Sequence, residues 1–158
     1  MTEDDLRAFA RSLPGVVAEV ADEASGAPQA AWGDTFVYYD PDDDPADRRF
    51  PFATIVASNY PGFDEASALD REGVYRVNIA VGRSAYRDLL GHEPGEHAEQ
   101  LARYDYTELD RLLPHPIYAS QGWVSILNPG ERTAGLAHSL LSDARDLAAK
   151  RHDRRAGQ

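Results

Sequence analysis

Cysteine is missing from the chain of 158 residues, and lysine occurs only once, at position 150. A chain without thiols forms neither disulfides nor thiolate metal sites, and such a chain suits the reducing cytoplasm. It also has no apolar run as long as a membrane span or the core of a signal peptide. We therefore expect a cytoplasmic protein that is neither exported nor inserted into a membrane.

Positive charge is scarce as well. Sixteen Lys and Arg residues face 27 Asp and Glu residues, which gives a formal net charge of −11. A field of this sign repels phosphate backbones, and their neutralisation supplies most of the affinity in nucleic-acid binding, so we expect no nucleic-acid partner. The strongest basic cluster, "KRHDRR" at 150–155, falls at the end of a predicted helix, where cations suit the helix dipole.

The rest of the composition is that of a soluble globular protein. Apolar residues make up 42% and charged residues 27%, and the length fits one domain with a core of its own. Neither an internal repeat nor a linker divides the chain. We expect a single domain over residues 1–152 and a frayed C-terminal tail over 153–158.

Hydrophobic periodicity predicts a helix that follows a capping box of Thr2 and Asp5 and ends at the Pro-Gly pair 14–15. Five strands are predicted, at 16–21, 35–40, 52–58, 73–81 and 123–127. Further helices are predicted at 85–91, in two pieces within 98–113, and at 131–152. Strands in the first half followed mostly by helices predict a single-domain α+β fold, with a mainly antiparallel sheet packed against helices.

Several segments resemble known sequences. The helix ending in "LPGV", the strand "WGDTFVYY" and the closing "WVSI" and "NPG" resemble the MmcQ/YjbR-like superfamily. Within it, "PFATIVASNYPGFD", "GVYRVNIAVGRSAYRDLLG" and "YDYTELDRLLPHPIYASQGWVSILNPG" are similar to an uncharacterised family of actinobacterial domains, over residues 1–150. The resemblance implies a compact α+β fold of the double-wing type and no established activity. Some relatives have been proposed to bind DNA, which the acidic charge disfavours here.

No pattern for a metal or a cofactor stands out. The acids at 40–47 fail as a calcium loop because Pro45 and Pro51 occupy the positions that need glycine and glutamate. His92 and His97 are five residues apart, which misses the helix face that a zinc-binding pair shares. The sequence contains no phosphate-binding loop, no dinucleotide fingerprint and no nucleophile elbow. We expect no metal and no cofactor.

The best candidate for a site is the stretch "PHPIYASQGW". Pro114 and Pro116 hold the backbone around His115, and a pre-aimed imidazole suits general acid–base chemistry near neutral pH. Tyr118 lies three residues further on, and Trp123 begins a strand. The alternative, which we prefer, is a rigid crossover in which both aromatic residues cover the core and the histidine bonds to a backbone carbonyl.

Other polar and aromatic residues extend this candidate site. Arg76 and Asn78 share one face of the strand 73–81, where they would mark a pocket if they pointed inward. Alternation favours the outward orientation, because the opposite face, with Val77 and Ile79 at its centre, makes the better core stripe. The candidate ligand-binding residues are Trp32, Tyr38, Asn59, Arg76, Asn78, His115, Tyr118 and Trp123.

These observations support two hypotheses for the function. The first is a non-catalytic domain that binds an unidentified small molecule or protein, as a monomer or a homodimer. The alternative is an enzyme or accessory protein of specialised metabolism, with His115 as acid or base and Tyr118 or Arg76 orienting the substrate. DNA binding through wing-like hairpins is disfavoured by the charge.

Overall fold

The computed structural model of the chain describes residues 1–95 and 98–157. The helices are α1 (Glu3–Ser12), α2 (Arg83–Leu90), α3 (Ala98–Leu101) and α4 (Ala134–Ala156). The strands are β1 (Val16–Val20), β2 (Thr35–Tyr39), β3 (Ala53–Val56), β4 (Arg76–Ala80), β5 (Leu112–Pro114) and β6 (Trp123–Leu127). Single turns of 3₁₀ helix occur at Gln29–Ala31, Pro45–Asp47 and Ala119–Gln121.

The six strands form one sheet in the order β1-β2-β3-β4-β6-β5, and every neighbouring pair is antiparallel. Consecutive strands are neighbours except where β5 lies outside β6, at the edge of the sheet. The α+β fold with an antiparallel sheet packed against helices is therefore confirmed. The capping box of Thr2 and Asp5 at the start of α1 is also present.

One face of the sheet packs against α1 and α4 and forms the main core. Alternate residues of the strands point to this face, because side chains of a strand alternate between its two sides. The strand members of this core include Val37, Ala53, Ile55, Val77, Ile79, Val124 and Ile126. From the helices come Leu6, Ala10, Ala137, Leu140, Leu141 and Ala144. Burying one Leu, Ile or Val side chain stabilises the fold by about 1.5–3 kcal/mol.

The opposite face of the central strands is covered too, by the segment 57–74 that joins β3 to β4. A second apolar cluster lies there, formed by Val56, Leu69, Val74, Leu113 and Leu127. Arg76 and Asn78 point to this face, and each is only 1% exposed. The predicted outward orientation of the two residues is therefore wrong. The reason is that alternation identifies the more apolar face but does not show whether the other face is covered.

The predicted helices within 98–113 form only in part. Helix α3 ends at Leu101, and Leu112–Pro114 belong to strand β5. Two aspartates explain the difference, because Asp105 accepts hydrogen bonds from the amide and the hydroxyl of Thr107, at 3.0 and 2.6 Å. Asp110 has a left-handed backbone conformation, with φ of 55°, which interrupts a helix.

Helix α4 has 23 residues and continues through residues 153–156, which the sequence predicted to be frayed. Its buried residues, Ala137, Leu140, Leu141 and Ala144, all lie in its first half. Among the helices of the described ranges, none combines the length and the apolar character that crossing a membrane requires.

Asp110 ties the start of α4 to the rest of the fold. Its carboxylate accepts hydrogen bonds from the amides of Gly130, Arg132 and Thr133, at 2.8, 3.1 and 3.0 Å, and from the Thr133 hydroxyl at 2.6 Å. The Thr133 hydroxyl, together with the three amides, lowers the pKa of Asp110 to about 2. The ionised carboxylate therefore holds the turn from which α4 begins.

Replacing Asp110 with asparagine keeps the left-handed backbone accessible but removes the charge and one acceptor oxygen. Because the folded pKa lies below the unfolded value of about 3.9, the contribution of Asp110 is complete above about pH 4 and is lost as the pH falls towards 2. We expect Asp110→Asn to unfold at lower urea concentration than the wild type near neutral pH, with a gap that closes in acid. The exposed Asp70→Asn serves as the control, and a gap independent of pH would contradict this account.

Candidate functional site

Two parts of the molecule bring polar and aromatic side chains together. The first is a buried set of hydrogen bonds around Arg76, which we call the Arg76 network. The guanidinium donates to both carboxylate oxygens of Asp64, at 3.1 and 2.6 Å, and to the Ser67 hydroxyl at 2.8 Å. Its Nε donates to the Asn78 side-chain oxygen at 2.7 Å. The bidentate ion pair with Asp64 compensates the charge of Arg76, which is only 1% exposed.

The network continues across the sheet. Thr54 of β3 and Ser125 of β6 lie directly opposite Asn78 of β4 in the strand register. The Asn78 amide donates to the Thr54 hydroxyl at 2.9 Å, and the Ser125 hydroxyl donates to the Asn78 oxygen at 2.7 Å. The polar groups of the network thus bond to one another, and this satisfaction is what allows them to remain buried. Such an arrangement stabilises one strand register and gives each of these side chains a partner within the protein.

His115 is buried at the edge of this region, with 4% of its surface exposed. Its Nδ1 accepts hydrogen bonds from the amides of Ile117 and Tyr118, both at 3.0 Å, so the ring carries its proton on Nε2. Burial, reinforced by the positive charge of Arg76, lowers the pKa of His115 to about 3. The backbone partner is an amide pair and not the carbonyl that the rigid-crossover interpretation assumed. The geometry favours a structural role, and the acid–base role stays a prediction.

Three of the predicted site residues have their rings together. The centroid of the His115 ring lies 4.9 Å from that of Tyr118 and 6.2 Å from that of Trp123. Tyr118 is 37% exposed, and its ring also contacts Phe63 of the covering segment at 6.3 Å. The stretch "PHPIYASQGW" is therefore a packed connection between β5 and β6.

The remaining predicted residues are spread over the molecule. Asn59 accepts a hydrogen bond from the Leu69 amide at 2.9 Å, which shapes the covering segment. The indole of Trp32 donates to the Ala27 carbonyl at 2.9 Å, and its ring is 41% exposed. Tyr38 lies in β2 opposite Val17, towards the β1 edge of the sheet. The eight residues do not form one site, and their ligand-binding role stays a prediction.

A buried carboxylate that the sequence did not single out lies beside the covering segment. Asp34 is fully buried, and burial raises its pKa to about 6. The Tyr60 hydroxyl donates to it, as does the Ala57 amide at 3.3 Å, and these bonds partly oppose the effect of burial. Through these two hydrogen bonds, the carboxylate of Asp34 connects the loop after β3 to the start of β2.

The second part of the molecule that brings polar and aromatic side chains together is a cavity of about 600 Å³ at one end of the sheet. We call it the end cavity. It lies where β2 and β4 end and where β3 and β6 begin, between the segment 50–52 and the second half of α4. Its aromatic walls are Tyr39, Phe50, Phe52 and Trp123, and its aliphatic wall is formed by Ala144, Leu147 and Ala148 of α4. Among the predicted site residues, Trp123 contributes to it.

The walls of the end cavity are held in place from behind. The guanidinium of Arg145 lies 5.0 Å above the ring of Tyr39, and the His152 ring meets the same ring edge-on at 5.4 Å. Gly82 has a φ of 86°, and a Cβ at this position would lie 3.1 Å from the end of the Leu147 side chain. A glycine is required there for both reasons, and its small size lets α4 approach the end of β4.

Arginine lines the outer rim of the end cavity. Arg151, Arg154 and Arg155 are exposed, and none of their side chains forms a hydrogen bond or an ion pair within the described ranges. Sequence reasoning missed this role because the helix dipole already explained basic residues at a helix end. The available signal was their spacing, which continues the core-facing positions 144, 147 and 148 of the same helix.

No group of three or more His, Asp or Glu side chains within residues 1–95 and 98–157 is arranged to hold a metal ion. His92 Nε2 lies 2.8 Å from the Tyr104 hydroxyl, whereas His97 is outside the described residues. The expectation of a protein without metal or cofactor stays a prediction.

The protein is a single domain of the mixed α+β class. Helices pack against one face of its six-stranded antiparallel sheet, and an amphipathic cavity lies at one end of the sheet. The chain belongs to a family of unknown function, DUF6194, which matches residues 1–157. Neither a curated protein nor a solved structure matches the chain.

The Arg76 network predicts strong coupling between Arg76 and Asp64. Replacing Arg76 with methionine leaves the Asp64 carboxylate buried without its partner, and we expect a loss of about 3–5 kcal/mol in the free energy of unfolding. The double variant Arg76→Met with Asp64→Leu should recover most of this loss, because it buries neither charge. Urea unfolding of the wild type, both single variants and the double variant measures the coupling. Additive losses would show that the pair is not coupled.

The amide bonds to His115 predict that its imidazole stays neutral in the folded protein. We expect its NMR ring signals to show no titration from about pH 8 down to about pH 5, since the folded pKa lies near 3. In urea the same signals should titrate near the unperturbed value of about 6.5. Because the unfolded state then binds the extra proton, the protonation of this residue has no effect on folding above about pH 6.5 and opposes folding progressively between about pH 6.5 and pH 3. Titration of folded His115 near neutral pH would instead restore it as a candidate acid or base.

Proposed function

We propose that the protein is a non-catalytic domain that binds a small molecule in the end cavity. The observation that carries this proposal is a preformed hollow of about 600 Å³ with aromatic walls and a rim of arginines that have no partner in the described ranges. Cavities that hold small ligands typically measure roughly 300–1,000 Å³ and combine apolar walls with a few polar groups. The end cavity has this size and this composition.

The rigidity of the walls supports binding. Tyr39 packs against Arg145 and His152, and Leu147 lies against Gly82, so these walls do not need to be ordered by a ligand. A preformed cavity loses little conformational entropy on binding, which leaves more of the burial energy for affinity.

The ionisable groups of the end cavity favour binding over chemistry. Its charged residues are arginines, which stay protonated at all physiological pH values and therefore neither accept nor donate a proton. The alternative, an enzyme or accessory protein of specialised metabolism that uses His115, has less support. The imidazole of His115 is buried and neutral, and its Nδ1 is already occupied by two amides.

The proposal also covers the location, the partners, the fold type and the assembly of the protein. A cytoplasmic location is supported by the lack of cysteine, and the lack of a nucleic-acid partner by the net charge of −11. The double-wing fold of the MmcQ/YjbR-like superfamily and an actinobacterial source are supported by the sequence segments that resemble them. For the assembly, we propose a monomer or a homodimer.

Filling the end cavity should abolish binding of an apolar probe. Ala148 lines the cavity, and Ala148→Trp places an indole in the space that a ligand would occupy. We expect wild-type protein to enhance the fluorescence of phenylnaphthylamine, a neutral aromatic dye, and the variant to lose this enhancement.

The matched control is Ala149→Trp, the same substitution at a neighbour that does not line the end cavity. Thermal unfolding of both variants checks that the fold is intact. Equal dye binding by a folded Ala148→Trp variant would show that the end cavity is not the binding site.

A further inference from the structure

We infer that the end cavity selects organic oxyanions: molecules with an apolar, ring-sized body and a carboxylate, phosphate or sulfonate group. In this arrangement the body fills the cavity and the anionic group stays at the mouth against Arg151, Arg154 and Arg155. The inference rests on the proposed function, since it names the class of ligand for the same cavity.

The rim arginines continue the core-facing side of α4 and line the end cavity. The core-facing side of α4 is buried at Leu140, Leu141 and Ala144. The same side then reaches positions 147 and 148, which line the end cavity, and afterwards 151, 154 and 155, which line it too. Steps of three or four residues keep all these side chains on one helical face. Where the sheet ends, this face changes from apolar to cationic, so the arginines overhang the cavity.

The helix dipole does not explain this placement. Cations near the C-terminus of a helix are favourable on any face, because the dipole acts along the axis. Several other arginines of the protein lie against carboxylates, as Arg7 does with Asp4 and Arg111 with Glu108. The three rim arginines have no such partner in the described ranges, although the chain contains 27 acidic residues. Their charge is available to an external anion.

The aromatic walls of the end cavity favour a ligand with an apolar body. An inorganic anion at the rim would leave the aromatic walls in contact with water. A ligand with an apolar group would bury these walls, and that burial would add to the affinity. Phe50 is 81% exposed at this cavity, and a bound body would cover its ring. Trp123 and Phe52 supply flat surfaces on which a ring can stack. A ligand therefore needs an apolar body to contact the aromatic walls and a negative charge to pair with the rim arginines.

The guanidinium groups at the rim favour an oxyanion over other polar groups. Arginine presents a planar fork of donors that matches the paired oxygens of carboxylate, phosphate and sulfonate groups. A cation is repelled by the rim, and a neutral molecule of the same shape gains only the contribution of the walls. The expected order of affinity is anion, then neutral molecule, then cation.

The test compares two dyes with the same body. Phenylnaphthylamine is neutral, and anilinonaphthalene sulfonate carries one added sulfonate group. We expect wild-type protein to bind the sulfonate about tenfold more tightly, which is the effect of two or three exposed charge contacts acting together. This preference should weaken with added salt, whereas the affinity for the neutral dye should not.

The variant that removes the rim charge is Arg151→Gln with Arg154→Gln and Arg155→Gln. We expect its preference for the sulfonate over the neutral dye to fall to about twofold or less, because the charge contacts act on the sulfonate alone. The matched control replaces three exposed arginines away from the end cavity, Arg87, Arg103 and Arg132, with glutamine. It removes the same total charge and should keep the preference.

The outcomes separate the two proposals. If neither dye binds, the proposed binding function itself fails. If both dyes bind equally, or if the rim variant keeps the preference, the end cavity binds ligands but does not select anions. Loss of the preference in the control variant would also overturn the inference, because it would trace the effect to net charge. Displacement of the dye by naphthylacetate or by naphthyl phosphate distinguishes a carboxylate from a phosphate ligand, and displacement by neither contradicts an oxyanion site.

Discussion

Helix α4 is longer than the sheet against which it packs, and this difference in length creates the end cavity. A helix of 23 residues extends about 34 Å, whereas a strand of five residues extends about 17 Å. The first half of α4 packs against apolar residues of the strands. Its second half extends past the ends of the strands. Leu147 and Ala148, at the point where the sheet ends, face a hollow instead of a core. Beyond them the same helical face carries arginine, because an apolar stripe there would have no partner.

The other face of the sheet is subject to a different constraint. A central strand that is covered on both sides has no solvent-facing position, yet β4 carries Arg76. Its charge is tolerable only because the covering segment brings Asp64 and Ser67 into bonding distance. The same segment contributes Leu69 and Val74 to the second apolar cluster. One stretch of chain thus supplies both the apolar cover and the countercharge, which ties the packing of that face to a single arrangement of the loop.

The parts of the fold that local pattern determines could be predicted from the sequence, and the parts that depend on distant contacts could not. Helices α1 and α4 and five of the six strands have a clear period and clear boundary residues. The segment 98–113 has helical composition, but Asp105 and Asp110 use their carboxylates to bond backbone amides in turns. The orientation of Arg76 depends on a cover contributed by another segment. The end cavity is formed where the ends of several strands lie beside one helix. This arrangement depends on residues far apart in the chain, so no local sequence pattern predicts it.

The proposed anion site on an acidic protein is consistent with the range over which charges act. The arginines from Arg151 to Arg155 span about 6 Å along the helix, less than the screening length of about 8–10 Å at physiological salt. A small anion at the mouth therefore responds mainly to these arginines, since more distant carboxylates are largely screened. A nucleic acid is much longer than the screening length, so it would also lie against the acidic surface that gives the chain its net charge of −11. Under the proposed function, the same distribution of charge would admit small organic anions and disfavour polyanions, and the selection would come from the size of the cationic region and not from the sign of the whole protein.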